Sequence, residues 1–367
     1  MTAPDSPAVL SLDAMGGDKG PAAVVAGLAR FLGESPGARV LLHGPAEALG
    51  PLAAPLGGRV EVVHASEAVS MADKPSQVMR HGQATSMWSA VEAAREGRAG
   101  AVVSCGNTGA LMAVSMLRLR RLPGVARPAI ACLWPSRNAQ RFNVMLDVGA
   151  DVRADAPDLL TYALMGTSYC RQGLGVARPR VGLLNVGTEE HKGREEIRRA
   201  HELIGRAAPA GEFDFVGFVE GVDVLSDRVD VIVTDGFTGN VALKTGEGTA
   251  TFVGGELRES LTRGPLGRIA GLLAMRSLDR LRLRIDPRRV NGGVFLGLGG
   301  TVVKSHGSAD ATGVAAALHL AERLARAGFT ARVAARVASA GGAQQGAAAD
   351  GPAPGGTGAG AAPGGDG

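Results

Sequence analysis

Aromatic residues make up only 4% of the 367 positions, and cysteine is rarer still, with Cys105, Cys132 and Cys170 widely scattered. Three thiols without metal-ligand spacing exclude a disulfide framework and a zinc site, and they read as the reduced thiols of a cytoplasmic protein. No uncharged apolar run reaches the roughly 18 residues that a bilayer-spanning helix needs. The N-terminus, MTAPDSPAVLSLD, lacks a charged stretch followed by a long apolar one, so export is not expected. HExxH, a Cys/His cluster and paired-carboxylate spacing are all missing, so nothing calls for a metal or a cofactor. Net charge is only +4. Without a clustered basic face and stacking aromatics, that charge does not imply nucleic acid.

Glycine, by contrast, is abundant, with 55 residues in a chain that is 45% apolar. That mixture suits a compact α/β protein with close backbone contacts, built as one large domain or two smaller ones. The order of elements supports it. Short apolar runs at 8–12, 39–43, 59–64, 101–104, 142–146, 181–184, 213–219, 231–233 and 292–299 read as strands. Most are followed by a small polar turn and a helical pattern. Alternating strands and helices imply a mostly parallel sheet covered on both faces, with ligands at the carboxyl ends of the strands.

The turns carry the residues that chemistry needs. Asp230–Gly248 (DVIVTDGFTGNVALKTGEG) runs from a β-branched strand through a glycine turn into a helix start, an order that points N–H groups at one spot and suits an anion. Asp13–Pro21 (DAMGGDKGP) resembles a phosphate loop but matches neither GxGxxG nor GxxxxGK[ST], and a capped turn explains it equally well. Cys105 opens another turn, where a buried small thiol is the commoner role than a nucleophile. Lys192 and Lys304 lie in glycine turns rather than on helix faces, beside Asn185 and His306, and two such lysines make an anion pocket. Lys192, Lys304, His306, Asn107 and Asn240 are therefore the candidate catalytic set around one anion. Asp13, Gly16, Gly17, Asp18, Gly106, Thr108, Asp147, Asn185, Asp235 and Gly239 are candidate substrate-binding positions. For any one aspartate, capping a helix is the plainer role.

Residues 339–367 differ in kind. Eleven Gly, nine Ala and three Pro among these 29 residues cannot bury enough surface to offset ordering, so a disordered tail is expected after a folded body at 8–338.

Taken together, LDAMGGDKGP, ADKPSQVMR, VVSCGNTGALMA, LDVGAD, LLNVGTEEHKG, VTDGFTGNVALKTGEG and VVKSHGSAD resemble, in order and spacing, the bacterial phosphate acyltransferases of phospholipid synthesis. The resemblance spans about Val9 to Ala327. It implies a three-layer α/β/α sandwich similar to phosphotransacetylases and isocitrate dehydrogenase-like enzymes, and a homodimer. It implies transfer of a fatty acyl group from acyl carrier protein to inorganic phosphate, with the acyl phosphate feeding a membrane glycerol-3-phosphate acyltransferase. His191 stands in a turn that varies in the family and is given no role. Two other readings stay open. A short-chain phosphotransacetylase would prefer coenzyme A thioesters, and a non-catalytic anion- or lipid-binding scaffold would release no thiol. Dehydrogenase activity would rest on fold analogy alone.

Two basic segments remain. Arg118, Arg120, Arg121 and Arg127 are a candidate docking surface for the acidic carrier protein. Residues 263–289 hold eight Arg and only Asp279 and Asp286 as acids. Leu266, Ile269 and Leu273, then Leu278 and Leu281, fall at helical spacing there. A short helical hairpin divided at Arg276-Ser277 is expected, lying on an anionic membrane or packing on protein.

Overall fold

The computed structural model describes residues 8–285 and 293–349. The strands are β1 (Val9–Asp13), β2 (Arg39–Gly44), β3 (Val60–His64), β4 (Ala101–Ser104), β5 (Ala129–Pro135), β6 (Phe142–Leu146), β7 (Arg180–Leu184), β8 (Asp214–Val219), β9 (Val231–Val233), β10 (Gly293–Leu296) and β11 (Thr301–Lys304). The helices are α1 (Gly20–Glu34), α2 (Ala46–Ala53), α3 (Pro75–His81), α4 (Ser86–Arg95), α5 (Thr108–Arg118), α6 (Ala156–Leu174), α7 (Glu195–Gly211), α8 (Gly236–Thr262), α9 (Gly264–Ile285), α10 (Ala311–Arg326) and α11 (Phe329–Ala349).

β-Branched runs such as Val231-Ile232-Val233 are buried on both faces, so successive side chains enter two different cores. Val231 and Val233 join α1, α2, α6, α7, α10 and α11 on one side, while Ile232 joins α3, α4, α5 and the start of α8 on the other. The result is a three-layer α/β/α sandwich around one eleven-stranded sheet, ordered β3-β2-β1-β4-β11-β10-β5-β6-β9-β7-β8.

The sheet is not parallel throughout, and the exception decides where the loops go. β3, β2, β1, β4 and β11 are mutually parallel, as are β6, β9, β7 and β8. Between the two blocks, β10 is antiparallel to both β11 and β5, and β5 is antiparallel to β6. Three antiparallel pairings in a row leave the two blocks pointing in opposite senses. The turns after β1, β4 and β11 therefore lie on one edge of the sheet, and those after β6, β9 and β7 on the other. The expectation that all the glycine turns gather at one edge is corrected by this reversal.

Other differences are local. Ala129–Pro135 forms β5 and Pro75–His81 forms α3, two elements not expected from sequence. Thr301–Lys304 is itself a strand, so Lys304 ends β11 instead of lying in a turn. α9 is continuous through Arg276-Ser277; the hairpin is formed by α8 against α9, turning at Gly264 with φ 74°. α11 reaches Ala349, so its last turns occupy part of the expected tail, while residues 350–367 lie outside the described residues.

Candidate active site

Asp13 closes β1 with a buried carboxylate that accepts from Ser86 Oγ and Ser104 Oγ, each at 2.7 Å, and from the Met15 N–H at 3.2 Å. Burial pushes that carboxyl up, and the serine bonds pull it partly back. The following turn is pressed against its neighbours. A Cβ on Gly16 would meet the Gly106 nitrogen at 2.5 Å, and one on Gly17, at φ 97°, would meet the Gly307 carbonyl oxygen at 2.9 Å. The Asp18 N–H donates to that same carbonyl at 2.7 Å.

Lys304 is buried beside them. Its ammonium donates to the carbonyls of Cys105, at 3.3 Å, and Ser305, and burial holds its pKa down. Asn107 caps α5 through the Ala110 N–H (3.0 Å) and donates to the Met71 and Asp73 carbonyls at 2.9 and 3.0 Å, which fixes the 71–73 loop. Thr108 opens α5, and exposed His306 accepts at Nδ1 from the Ser308 N–H (3.2 Å). Burial raises the Cys105 thiol to about 11, which leaves no thiolate nucleophile here.

The other edge is built around Asp147, directly after β6. Its buried carboxylate accepts N–H bonds from Ile130 (2.8 Å), Gly149 (3.1 Å), Ala150 (2.9 Å) and Asp151 (2.6 Å). Burial raises its pKa and these N–H groups lower it. Asp151 in turn holds Arg127 (2.6 Å) and the Tyr162 hydroxyl (3.0 Å). The first turn of α8 sits directly on this loop. Asp235 caps it through the Thr238 N–H at 2.8 Å, and Asn240 Nδ2 donates to the Val148 carbonyl at 3.1 Å. A Cβ on Gly239 would lie 1.9 Å from the Asp147 carbonyl oxygen.

The third loop on this edge follows β7, the strand next to β9. Asn185 closes it by donating from Nδ2 to the Gly187 and Lys192 carbonyls, both at 3.1 Å. Lys192 is exposed, and its ammonium pairs with Glu189 at 2.8 Å, the contact that raises its pKa. Arg194, the residue before α7, donates to Asp235 at 2.8 Å and so ties this loop to α8. A cation just past a glycine turn was the signal available for it.

The five candidate catalytic residues thus divide within one chain. Lys304, His306 and Asn107 lie on the first edge with Asp13, Gly16, Gly17, Asp18, Gly106 and Thr108. Lys192 and Asn240 lie on the second with Asp147, Asn185, Asp235 and Gly239. The strand-sense reversal at β10 and β5 separates them. Half of the arginine run is paired internally: Arg118 is bound by Glu92 (2.7 Å) with its guanidinium 5.5 Å from the Trp88 ring centroid, and Arg127 by Asp151. Arg120 and Arg121 are exposed and pair with no acid among the described residues, so two of the four remain as free charge. Leu266, Ile269 and Leu273 are 82%, 55% and 83% exposed near the α8–α9 turn, whereas Leu278 is half-buried and Leu281 is 46% exposed. Residues 286–289 of that segment lie outside the described residues, among which no helix is long and apolar enough to cross a membrane.

Residues 8–332 match the family described as fatty acid synthesis protein. A protein named phosphate acyltransferase from Paracoccus denitrificans is 68% identical over 333 residues, covering 90% of each chain. Another of that name from a Ruegeria species is 67% identical over 335 residues, covering 90% of this chain and 89% of the relative. Among solved structures, a phosphotransacetylase from Streptococcus pyogenes shares the fold with a TM-score of 0.59 at 17% identity, covering 88% of this chain and 94% of that one.

Proposed function

The chain belongs to the phosphate acyltransferase family, and we propose that it moves a long-chain fatty acyl group from acyl carrier protein to inorganic phosphate, giving acyl phosphate for phospholipid synthesis. The reaction needs no enzyme nucleophile. An oxygen of hydrogen phosphate attacks the thioester carbonyl, the C–S bond breaks, and the phosphate's own proton ends on the departing sulfur. What the protein must supply is position for the phosphate and donors for the carbonyl oxygen as it becomes an oxyanion.

The observation that carries this reading is the second edge, where three adjacent strand ends hold the loop after Asp147, the first turn of α8 and the Asn185–Lys192 loop against one another. Lys192 supplies a mobile cation for phosphate. Asn240, the fifth residue of a capped helix, supplies an amide donor just past that helix's positive end. Asp147, whose carboxylate takes four backbone N–H groups, and Asn185, whose Nδ2 closes its loop on two carbonyls, order the loops. The single bond from Asn240 Nδ2 to Val148, by contrast, leaves its second N–H for substrate. On the first edge, Asp13, Asn107 and Lys304 are likewise committed to internal partners and hold the strand ends together.

The exposed leucines divide by position on the hairpin. We assign Leu266, Ile269 and Leu273, beside the turn, to an anionic membrane surface, where long-chain product partitions and the membrane glycerol-3-phosphate acyltransferase would take it up. Phe252, Val253 and Leu257, farther down α8 and 67%, 55% and 42% exposed, suit a second copy of the chain in a homodimer.

Phosphate-dependent thiol release tests the assignment, with long-chain acyl carrier protein compared against short- and long-chain coenzyme A thioesters. Carrier thioesters should be preferred, and Lys192→Ala and Asn240→Ala should each cost about ten- to a hundredfold in kcat/KM. Preference for acetyl-coenzyme A would instead favour a phosphotransacetylase.

A further inference from the structure

The loop from Thr188 to Glu196 carries Glu189, Glu190, Glu195 and Glu196 against only two fixed cations, Lys192 and Arg194. Its local charge is therefore negative, which opposes the approach of phosphate. Lys192 does not reverse that, because its ammonium is 2.8 Å from Glu189, with the two side chains 43% and 49% exposed. Arg194 is held differently. Its side chain is 68% exposed, yet one guanidinium nitrogen is fixed at 2.8 Å to Asp235, whose side chain is only 7% exposed. Among the described residues that is its one hydrogen bond, so the rest of its five-donor fork stays open to solvent.

The anchor matters as much as the open donors. Asp235 also accepts from the Thr238 N–H at 2.8 Å and the Thr238 hydroxyl at 3.0 Å, so Arg194 is positioned relative to the first turn of α8 and to Asn240. We propose that Arg194 is a phosphate-binding residue of the reaction site and that Asp235 is the residue that positions it. The inference rests on placing the reaction at the edge formed by β6, β9 and β7. A planar guanidinium gripped on one side offers paired N–H groups to a phosphate with little further ordering cost, which a flexible lysine does not. Lys192 then adds a second charge once phosphate draws it from Glu189.

Steady-state kinetics with inorganic phosphate and acyl carrier protein thioester test this on the full chain. Arg194→Ala should raise the phosphate KM about tenfold or more, change kcat much less, and leave the KM for the acyl donor alone. Arg194→Lys should restore only part of the loss. Asp235→Asn keeps a helix-capping side chain while removing the charge that holds the guanidinium, so it should shift the phosphate KM in the same direction without lowering the melting temperature by more than a few degrees. An unchanged phosphate KM in Arg194→Ala, with Lys192→Ala raising it, overturns the role of Arg194 and leaves the site in place. Unchanged values in both variants remove the site itself. Equal rises in KM for phosphate and acyl donor also overturn the proposal, because general disruption produces that result.

Discussion

Gly239 gives the sharpest test of how the second edge is assembled. It lies in the first turn of α8, and a Cβ there would sit 1.9 Å from the Asp147 carbonyl oxygen, where no real Cβ comes within 3.0 Å of a neighbour. Gly239→Ala must therefore lift the helix start off the 147–151 loop by about 1 Å, because the atom in the way is backbone and has no rotamer to change. Lifting the turn also stretches the 3.1 Å bond from Asn240 to the Val148 carbonyl. Overpacking of this kind costs about 1–3 kcal/mol of stability, and a displacement of about 1 Å at a reacting group costs up to about a hundredfold in rate. Gly248→Ala is the control: it lies in the same helix, its Cβ would meet nothing within 4 Å, and the gain in helix propensity should stabilise by up to about 1 kcal/mol. Urea unfolding and phosphate-dependent thiol release on both variants provide the readouts. If Gly239→Ala matches the parent in turnover and unfolding midpoint, the close approach does not organise the site.

Three further outcomes are expected. Removing the carboxylate that holds Lys192, by Glu189→Gln, should lower the phosphate KM severalfold; a rise would mean that Glu189 positions the lysine productively. His43 is buried between Ser11 and Ser89, with its ring nitrogens 2.9 and 2.8 Å from their hydroxyls, and burial lowers its pKa from 6.5 to about 3. Between those values the unfolded chain binds a proton that the native chain does not, so this contribution is complete above about pH 6.5 and is lost as pH falls toward 3. Its size is on the order of 5 kcal/mol. The difference in urea stability between the parent and His43→Gln should shrink steadily from pH 7 to pH 4, and a constant difference would falsify the shift. Leu273→Glu should abolish flotation with anionic vesicles while activity on soluble substrate persists; continued flotation places the membrane contact elsewhere.

Much of the fold is legible in the residues, because each strand–turn–helix unit carries its own period change and its own glycine. The run Val231-Ile232-Val233 followed by Asp235 reads as a buried strand and a helix cap, and the chain folds that way. Strand sense is not legible there, since a β-branched run pairs in either direction. The reversal at β10 and β5 is set by tertiary pairing across more than 150 residues of chain. It divides residues that the turn pattern had grouped. β5 was missed for a related reason, because Pro128 and Pro135 bracket AIACLW with loop signals. The ion pairs of Arg118 and Arg127 are not legible because the partners are remote: Glu92 is 26 positions from Arg118 and cannot be assigned to it from local spacing. The link from Arg194 to Asp235 is not legible either, because the two lie 41 positions apart.

The length of α8 has a mechanical consequence. Its 27 residues make a rod about 40 Å long that starts at the Asp147 loop and ends at the exposed leucines of the hairpin turn. Gly246 lies against Trp134, where a Cβ would come within 2.7 Å of the indole, and it divides the rod into arms of about 15 and 24 Å. A stiff rod resting on such a fulcrum is a lever. Moving its outer end sideways by 2 Å swings its inner end by about 1.2 Å in the opposite sense, at the turn that carries Gly239 and Asn240. The Asp147 loop and the exposed leucines thus stand at opposite ends of one continuous helix.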